Sequence, residues 1–322
     1  MDRFLFGAKI GTPDLQRKVI GLAIQKIGHK QLRQRRRLGY LYAVPSLILI
    51  AGFVLYPLIY GVRTSFFNWN WVAGADKINF VGFDNYIAIF QDAYFWNALK
   101  NTLVFSLLSL AIEFALGLGC ALLLNSITRG SLLFRTLLIF PLTISDMVAA
   151  IMWRMMLDPS SGVINQILNG LHLPSVDWLG NSSVVIWSLV LVECWWMTGN
   201  IILILLSGLQ SMPHDQLEMG RIDGANSVQL FRYLIWPHLR PFTIVALSLR
   251  LIDLLRVFAI SWAITGGGPV RASEVSQLYI YTVGLGKYLN IGYSIAMAIT
   301  FSIIVVAVVS VLKQLLRIGE SK

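Results

Sequence analysis

The chain has 322 residues, of which 56% are hydrophobic and only 13% are charged. Soluble domains have roughly a quarter of their residues charged, so this composition excludes an ordinary water-soluble enzyme and indicates a membrane protein. The net charge of +10 does not by itself indicate nucleic-acid binding, because basic residues in a membrane protein commonly encode its orientation.

The N-terminal segment, residues 1–38, is dense in basic side chains and ends in Arg33, Arg35, Arg36 and Arg37. Its scattered apolar positions are compatible with an amphipathic helix on the membrane surface or with a disordered tail. Lysine and arginine collect in cytoplasmic loops, so we expect the N-terminus to be cytoplasmic. The apolar run that follows is long and lacks a small-residue cleavage site, which predicts a retained helix and not a signal peptide.

Six apolar stretches follow, and each is long enough to cross a hydrocarbon core of roughly 30 Å as a helix. They cover approximately residues 41–62, 102–124, 137–157, 184–206, 242–263 and 291–312. Backbone groups in lipid must pair internally, and these runs lack the alternation of barrel strands. We therefore predict an all-α polytopic membrane protein with six transmembrane helices in residues 39–315. The tail, residues 316–322, then also lies in the cytoplasm.

The longest internal loop, residues 207–241, predicts two short helices joined by a turn on the cytoplasmic side. Asp215 and Glu218 carry negative charges, which favour the start of a helix. Gly224 permits a sharp turn, and we expect the second helix to end before Pro237. Loops of this length are uncommon unless they are functional.

The same loop carries a recognisable motif. It reads Gln210-Ser-Met-Pro-His-Asp-Gln-Leu-Glu-Met-Gly-Arg-Ile-Asp-Gly-Ala225 and continues to Trp-Pro-His-Leu-Arg-Pro241. This resembles the EAA loop of binding-protein-dependent ABC importer permeases of the carbohydrate-uptake group, which have the type I importer fold. Segments 79–86, 153–162 and 265–269 also resemble parts of sugar permeases, in the same order.

The resemblance implies a role for each residue of the loop that matches the motif. In that family the loop is a coupling helix that sits in a cleft of the cytoplasmic ATPase. The coupling residues would be Glu218, Arg221, Asp223, Gly224 and Pro237. Glu218 would contact the ATPase, Gly224 would form the turn, and Pro237 would stop the helix.

Two departures from the family pattern lie in this loop. Met219-Gly220 stands where the family usually has two alanines, and Trp236 stands where it usually has leucine. The coupling role remains the prediction, with the fit to a particular ATPase left open.

The chain carries no phosphate-binding loop of its own. Its Gly286-Lys287 pair is followed by Tyr288, and Tyr281 stands where the first glycine of the loop should be. We therefore expect no cofactor in this chain and place ATP and Mg on a separate ATPase. The resemblance implies two such ATPase subunits, a second six-span permease, which is most often a non-identical partner, and an extracytoplasmic solute-binding protein. It also implies the bacterial inner membrane as the location.

Ionisable residues inside membrane spans are expensive, so each one suggests a function or a pairing. Arg250 and Asp253 are three residues apart on one predicted helix, a spacing that favours an ion pair between them. Arg256 is then left as the better pathway candidate. Because spans four and five contact solute in related permeases, the resemblance implies a substrate pathway formed by Trp195, Trp196, Asn200, Arg256 and Phe258. Plain helix packing is an equally good explanation for either tryptophan. Trp196 and Ala259 depart from the family pattern, which usually has a polar residue and an aspartate there.

The predicted function is import of a sugar or sugar-like solute, with no catalytic site in this chain. A phosphorylated or sulfonated sugar or polyol is an alternative cargo, because Arg256 is basic. An ion-coupled secondary transporter is a weaker alternative, since no inverted repeat is visible. A membrane enzyme is disfavoured, because the four histidines lie outside the spans and form no metal motif. No metal site or disulfide is predicted, since Cys120 and Cys194 lie within spans.

Overall fold

The computed structural model describes residues 42–72, 78–127 and 130–317. The chain divides between Arg63 and Thr64 into two units, which are described separately. The first consists of helix α1 (Tyr42–Thr64) as far as that boundary, and a π-helical turn lies in it at Ala51–Leu55. The basic segment, residues 1–38, and the tail beyond residue 317 lie outside the described residues.

The second unit is almost entirely helical. It opens with a two-residue antiparallel pairing of β1 (Phe67–Asn68) with β2 (Asn79–Phe80). Eleven helices follow in the described part. The first ten are α2 (Asp84–Gln91), α3 (Ala93–Ser126), α4 (Ser131–Ile139), α5 (Asp146–Met156), α6 (Val163–Gly170), α7 (Val185–Gln210), α8 (His214–Ile222), α9 (Ser227–Leu230, Phe231–Ile235 and Trp236–Leu255), α10 (Ala259–Thr265), and α11 (Ser276–Tyr281), which runs into a π turn at Thr282–Gly286. The last helix is α12 (Ile291–Arg317).

Helix α3 is the longest element of the fold. Its 34 residues extend for about 51 Å at 1.5 Å per residue, well beyond the hydrocarbon core. The Asp92 carboxylate caps its start by accepting hydrogen bonds from the backbone N–H groups of Tyr94 and Phe95, at 2.9 and 3.2 Å. Along its length α3 packs against α7 at close range. A Cβ at Gly117 would lie 2.7 Å from Ile201 Cγ2, so only glycine permits this approach.

Among the described residues, four helices are long and apolar enough to cross a membrane: α1, α3, α7 and α12. The pair α4 and α5 adds a fifth crossing when the two are taken together. Helix α9 carries Arg240, Arg250 and Asp253, so its composition is less apolar than that of the other four. The all-α polytopic fold is confirmed, whereas the count of six crossings stays a prediction.

The expectation of an unbroken third span over residues 137–157 is wrong. Helix α4 tightens into a 3-10 turn at Phe140–Thr143 that contains Pro141, and α5 then leaves at 98°. Proline removes a backbone donor and clashes with the preceding turn, which accounts for a break at this point.

The expectation of an unbroken fifth span over residues 242–263 is also wrong. Helix α9 ends at Leu255, where the N–H groups of Arg256 and Val257 bond to carbonyls three residues back, at 3.0 and 3.3 Å. The chain becomes helical again only at Ala259. Broken backbone of this kind is tolerated at membrane depth where it lines a cavity or is buried in protein.

The short helix α6 lies in the segment that joins α5 to α7. Ahead of it, the Asp158 carboxylate accepts hydrogen bonds from the N–H and hydroxyl groups of Ser160 and Ser161, at 2.8 to 3.0 Å. These donors, with the Ser161 backbone N–H contributing most, hold the pKa of Asp158 well below its usual range. Asp158 is therefore ionised throughout the physiological pH range, and its carboxylate keeps these hydrogen bonds.

Candidate functional site

Both helix breaks open onto one cavity, which has a volume of about 340 Å³. Asp146 begins α5 at its edge, and the break between α9 and α10 contributes a wall. The middle of α7 forms the opposite wall. The lining residues are Asp146, Glu193, Trp196, Met197, Arg250, Asp253, Arg256, Val257, Phe258, Ala259 and Ile260. The lining thus combines apolar and aromatic surface with five ionisable side chains, a mixture typical of a small-molecule site.

A buried cluster of three charges, formed by Glu113, Glu193 and Arg250, lies behind this cavity. Arg250 on α9 donates to both carboxylate oxygens of Glu113 on α3, at 2.6 and 2.9 Å. It also donates to one oxygen of Glu193 on α7. All three side chains are buried. One guanidinium therefore ties three long helices together at membrane depth.

The expected ion pair between Arg250 and Asp253 is wrong. Arg250 points toward α3 and α7, while Asp253 is exposed and makes no ion pair with the residues that the structure describes. Two buried carboxylates stabilise a buried guanidinium more than one exposed carboxylate does, because the electrostatic attraction between opposite charges is stronger where water is excluded. The sequence did carry a signal for the observed pairing, because Glu113 and Glu193 each lie in the middle of another predicted span.

Trp196 joins the cavity wall to the break between α4 and α5. Its indole Nε1–H donates to the Ile144 carbonyl oxygen, at 3.0 Å. That carbonyl lies at the bend, where a regular helical partner is missing. Trp196 thus holds the bend in place while it lines the cavity.

Three of the five predicted pathway residues lie together, and two lie apart. Trp196, Arg256 and Phe258 line the cavity. Trp195 lines a separate apolar groove of about 640 Å³, where its ring meets Trp153 edge-on at 5.5 Å. Asn200 lines neither cavity within the described part of the chain. Around α7, Trp195 points about 100° from Trp196 and about 200° from Met197, the two residues of this turn that line the cavity. Trp195 therefore lies on a different face of the helix.

Replacing Arg256 by alanine should weaken solute uptake. Its side chain is exposed at the cavity, and a hydrogen bond to a charged group is worth about 1.5–3 kcal/mol, or about 10- to 100-fold in affinity. We expect the KM for uptake to rise by that factor and Arg256→Lys to recover part of it. Size-exclusion chromatography of the purified protein checks that assembly is unchanged. Wild-type uptake in Arg256→Ala would remove Arg256 from the pathway.

The predicted helix, turn, helix protrusion is present in α8 and the start of α9. Gly224 follows α8 with φ of +82°, the left-handed region that favours glycine. The Ala225 N–H donates to the Gly220 carbonyl and the Gly224 N–H to the Arg221 carbonyl, at 3.0 and 3.1 Å. This pattern is a Schellman motif, which satisfies the last carbonyls of α8.

The second helix of this hairpin starts with a reciprocal cap. The Asn226 side chain accepts from the Gln229 N–H, and the Gln229 side chain accepts from the Asn226 N–H, at 2.9 and 2.8 Å. Gly220 lets the two helices of the hairpin approach each other, because a Cβ there would lie 2.8 Å from a Leu230 methyl. This accounts for glycine where the family usually has alanine.

The expected end of the second helix before Pro237 is wrong. The chain stays helical from Ser227 to Leu255, with a π-helical turn at Phe231–Ile235 immediately ahead of the proline. In this wider turn the Trp236 N–H bonds to the Phe231 carbonyl, five residues back. A π turn changes the backbone ladder where the proline ring would otherwise clash with it. The hairpin therefore continues directly into α9.

The hairpin is highly exposed. Met219, Ile222 and Val228 have 63, 84 and 74% of their surface accessible. The proposed coupling residues Glu218, Arg221, Asp223, Gly224 and Pro237 are exposed too. Apolar side chains exposed together within a charged rim are typical of a protein interface. Among the described residues no three histidine, cysteine or acidic side chains form a group able to hold a metal ion.

Known proteins resemble the chain over most of its length. A trehalose/maltose transport system permease protein of Thermococcus litoralis is 35% identical over 83% of this chain and 90% of its own. A sulfoquinovosyl glycerol transport system permease protein of Agrobacterium fabrum is 30% identical, over 88% of this chain and 91% of its own.

Solved structures agree with this likeness. A bacterial ABC transporter involved in the import of the acidic polysaccharide alginate has a chain that superposes with a TM-score of 0.76 and 25% identity. The match covers 88% of this chain and 96% of the other. The architecture is that of a type I ABC importer permease. Residues 113–317 match the profile of binding-protein-dependent transport system inner membrane components. The chain belongs to that family and is an ABC transporter permease.

Proposed function

We propose that this chain is one permease subunit of an ATP-driven importer that carries a sugar or sugar-like solute across the bacterial inner membrane. The observation that carries the proposal is the exposed hairpin of α8 and α9. Its uncovered apolar side chains, Met219, Ile222 and Val228, lie beside the charged Glu218 and Arg221. A cytoplasmic ATPase subunit is the partner that the hairpin fits, with Glu218 as its acidic contact.

The hairpin is connected mechanically to the cavity. Helix α9 runs without interruption from Ser227 to Leu255, about 40 Å at 1.5 Å per residue. Its last turns carry Arg250 and Asp253 into the cavity wall. Movement of the hairpin when the two ATPase subunits close on ATP would therefore reach the cavity through one continuous helix. Alternating access of the cavity to the two membrane sides follows from that movement.

The charge of the cavity favours a neutral, hydroxyl-rich solute. Its lining has the acids Asp146, Glu193 and Asp253 against the two arginines, Arg250 and Arg256. Aromatic faces from Trp196 and Phe258 suit the C–H side of a sugar ring, while polar groups bond its hydroxyls. The trehalose/maltose permease among the relatives agrees with this cargo.

An anionic sugar or polyol derivative is a second candidate, favoured by one observation. Arg256 lies exposed at the cavity, and Arg250 beside it is already occupied by Glu113 and Glu193. Relatives named for sulfoquinovosyl glycerol and for sn-glycerol-3-phosphate are of this type. Uptake of neutral and anionic solutes by wild type and Arg256→Ala separates the two candidates.

The composition of the assembly tests the proposal. We expect gentle detergent purification of the tagged chain from its native host, followed by mass spectrometry, to recover an ATPase and a second permease. The other expected component is an extracytoplasmic solute-binding protein, present at lower yield. Recovery of this chain alone, with uptake driven by an ion gradient, would favour a secondary transporter instead.

A further inference from the structure

The apolar groove that contains Trp195 lies on a different face of α7 from the solute cavity. Its walls are α3, the bend between α4 and α5, and α7, and its volume of about 640 Å³ is within the range of pockets that hold small molecules. Thr198 contributes a hydroxyl group to the lining, but this group donates to the Cys194 carbonyl of its own helix at 2.6 Å. The groove therefore suits an apolar occupant and not a sugar.

The groove is long, narrow and open along one side. Its lining extends on α7 from Trp187 to Ile202, about 22 Å of helix in a hydrocarbon core of roughly 30 Å. Leu116 and Leu137 at its open side have 50 and 61% of their surface accessible. A transmembrane helix about 10 Å wide would occupy about 1,700 Å³ over that length, so the groove cannot enclose one. A single acyl chain is narrow enough to lie within it.

Arg135 on α4 is a basic side chain that the fold leaves uncompensated. It is partly exposed. Among the residues that the structure describes, its Nε–H has no hydrogen-bond partner and its guanidinium makes no ion pair. A donor left without a partner costs free energy, and a guanidinium binds phosphate oxygens through two parallel hydrogen bonds. Arg135 is therefore available to an anionic ligand from outside the chain.

Arg135 adjoins one end of the groove. Leu138, three residues further along α4, lines the groove, and residues three apart on a helix are neighbours on its surface. At this point α4 lies close to α7, because a Cβ at Gly199 would be 3.0 Å from the Leu138 carbonyl oxygen. Arg135 thus lies one turn from the groove, toward the start of α4, so one ligand could contact both.

The start of α4 lies at the same end of the fold as the coupling hairpin. Helix α3 ends at Ser126, shortly before α4 begins. Near that end, Leu124 of α3 packs in a cluster with Leu206 and Leu209 of α7, which leads into the hairpin. With the hairpin in the cytoplasm, Arg135 is at the cytoplasmic surface of the bilayer. The cytoplasmic leaflet carries anionic lipids, which attract basic side chains at that surface.

We propose that Arg135 and the groove form a binding site for an anionic phospholipid of the cytoplasmic leaflet. The guanidinium binds the lipid phosphate, and one acyl chain lies in the nearer part of the groove, among Cys120, Leu138 and Ile202. Each methylene group that leaves the bilayer for this groove keeps an apolar environment, while the phosphate gains the hydrogen bonds of Arg135. The assignment rests on the proposed function for the side of the membrane on which Arg135 lies.

The test uses the complete transporter in detergent, titrated with phosphatidylglycerol that carries a photoreactive group in one acyl chain. After illumination, mass spectrometry of the peptides identifies the labelled residues, which we expect around Cys120, Leu138 and Ile202. We expect Arg135→Gln to raise the half-saturating lipid concentration by about tenfold or more, and Arg135→Lys to recover part of that loss. Cys120→Trp places a large ring in the groove and should act in the same direction as Arg135→Gln.

Lys313→Gln is the matched control, since Lys313 is exposed near the end of α12 and does not line the groove; it should bind lipid as wild type does. Wild-type binding in both Arg135→Gln and Cys120→Trp would overturn the assignment. An unlabelled groove in the complete transporter would also overturn it, because a neighbouring subunit would then fill the groove. Equal labelling by a phosphatidylcholine probe would overturn the selection of an anionic lipid.

The lipid measurement needs neither ATP nor solute, so each of these negative results would leave the proposed function intact. A wild-type transporter that binds the lipid at the groove but shows no ATP-driven uptake would instead overturn the proposed function. The two failures are therefore distinguishable in one preparation.

Discussion

Replacing Arg250 by methionine should destabilise the folded protein by about 3–5 kcal/mol, the usual cost of removing one partner from a buried ion pair. Methionine is similar in length but leaves Glu113 and Glu193 buried without a cation. These carboxylates must then be buried as unpaired charges or take up protons, and both outcomes cost free energy of folding. The measurement is the thermal unfolding midpoint of the purified protein in detergent.

Two further variants separate the charge cluster from a general effect of mutating α9. Asp253→Asn changes an exposed residue one turn away, and we expect a change within about 0.5 kcal/mol. The triple variant Glu113→Gln, Glu193→Gln, Arg250→Met removes all three charges together. We expect it to recover much of the loss, because replacing a whole buried cluster is far less costly than breaking it. A midpoint for Arg250→Met equal to wild type would show that the cluster does not hold α3, α7 and α9 together.

The second large effect is expected for Glu218→Lys in the coupling hairpin. Reversing a charge that a partner subunit contacts costs about 2–5 kcal/mol, and each 1.4 kcal/mol is a factor of ten. We therefore expect attachment of the ATPase, or the amount of solute imported per ATP hydrolysed, to fall by about 30-fold or more. The measurement is ATP hydrolysis and uptake in the same reconstituted vesicles.

Gln216→Lys provides the control for that variant. Gln216 is exposed on the same helix but two residues away, so its side chain points about 200° from that of Glu218. Its replacement should leave coupling near the wild-type value. Coupled transport at the wild-type level in Glu218→Lys would show that Glu218 has no role in the ATPase contact.

Much of the fold could be predicted from the sequence because a bilayer allows few solutions. Apolar runs of about 20 residues must be helical there, and the stretches that became α3, α7 and α12 were identified in this way. The hairpin of α8 and α9 was also predictable, since Gly224 and the acidic first turn of α8 are local signals. These features depend on neighbouring residues along the chain, which a sequence displays directly.

The two helix breaks were harder to predict. Pro141 was a visible signal for the first break, but it lies inside an otherwise apolar run. The second break, after Leu255, has neither proline nor glycine at residues 255–259. It depends on packing, because the Phe258 ring stacks on Trp262 at 6.0 Å and meets Tyr281 edge-on at 5.3 Å. Contacts of this kind do not follow from local sequence.

The candidate site shows the same limit. Trp196, Arg256 and Phe258 were brought together as expected, whereas Trp195 lies on another groove. The rotation of α7 about its own axis could not be predicted, because this helix is apolar on every side. The partners of Arg250 could not be chosen either, since Glu113 is 137 residues away. Local spacing favoured Asp253, and tertiary packing selected the two buried glutamates.

ATP-driven uptake in sealed vesicles tests the central claim most directly. The complex purified through this chain would be reconstituted in proteoliposomes with ATP and Mg inside and labelled solute with its binding protein outside. We predict accumulation that requires both the ATP and the binding protein and persists when ion gradients are dissipated. Accumulation without ATP that follows an imposed ion gradient would contradict this account.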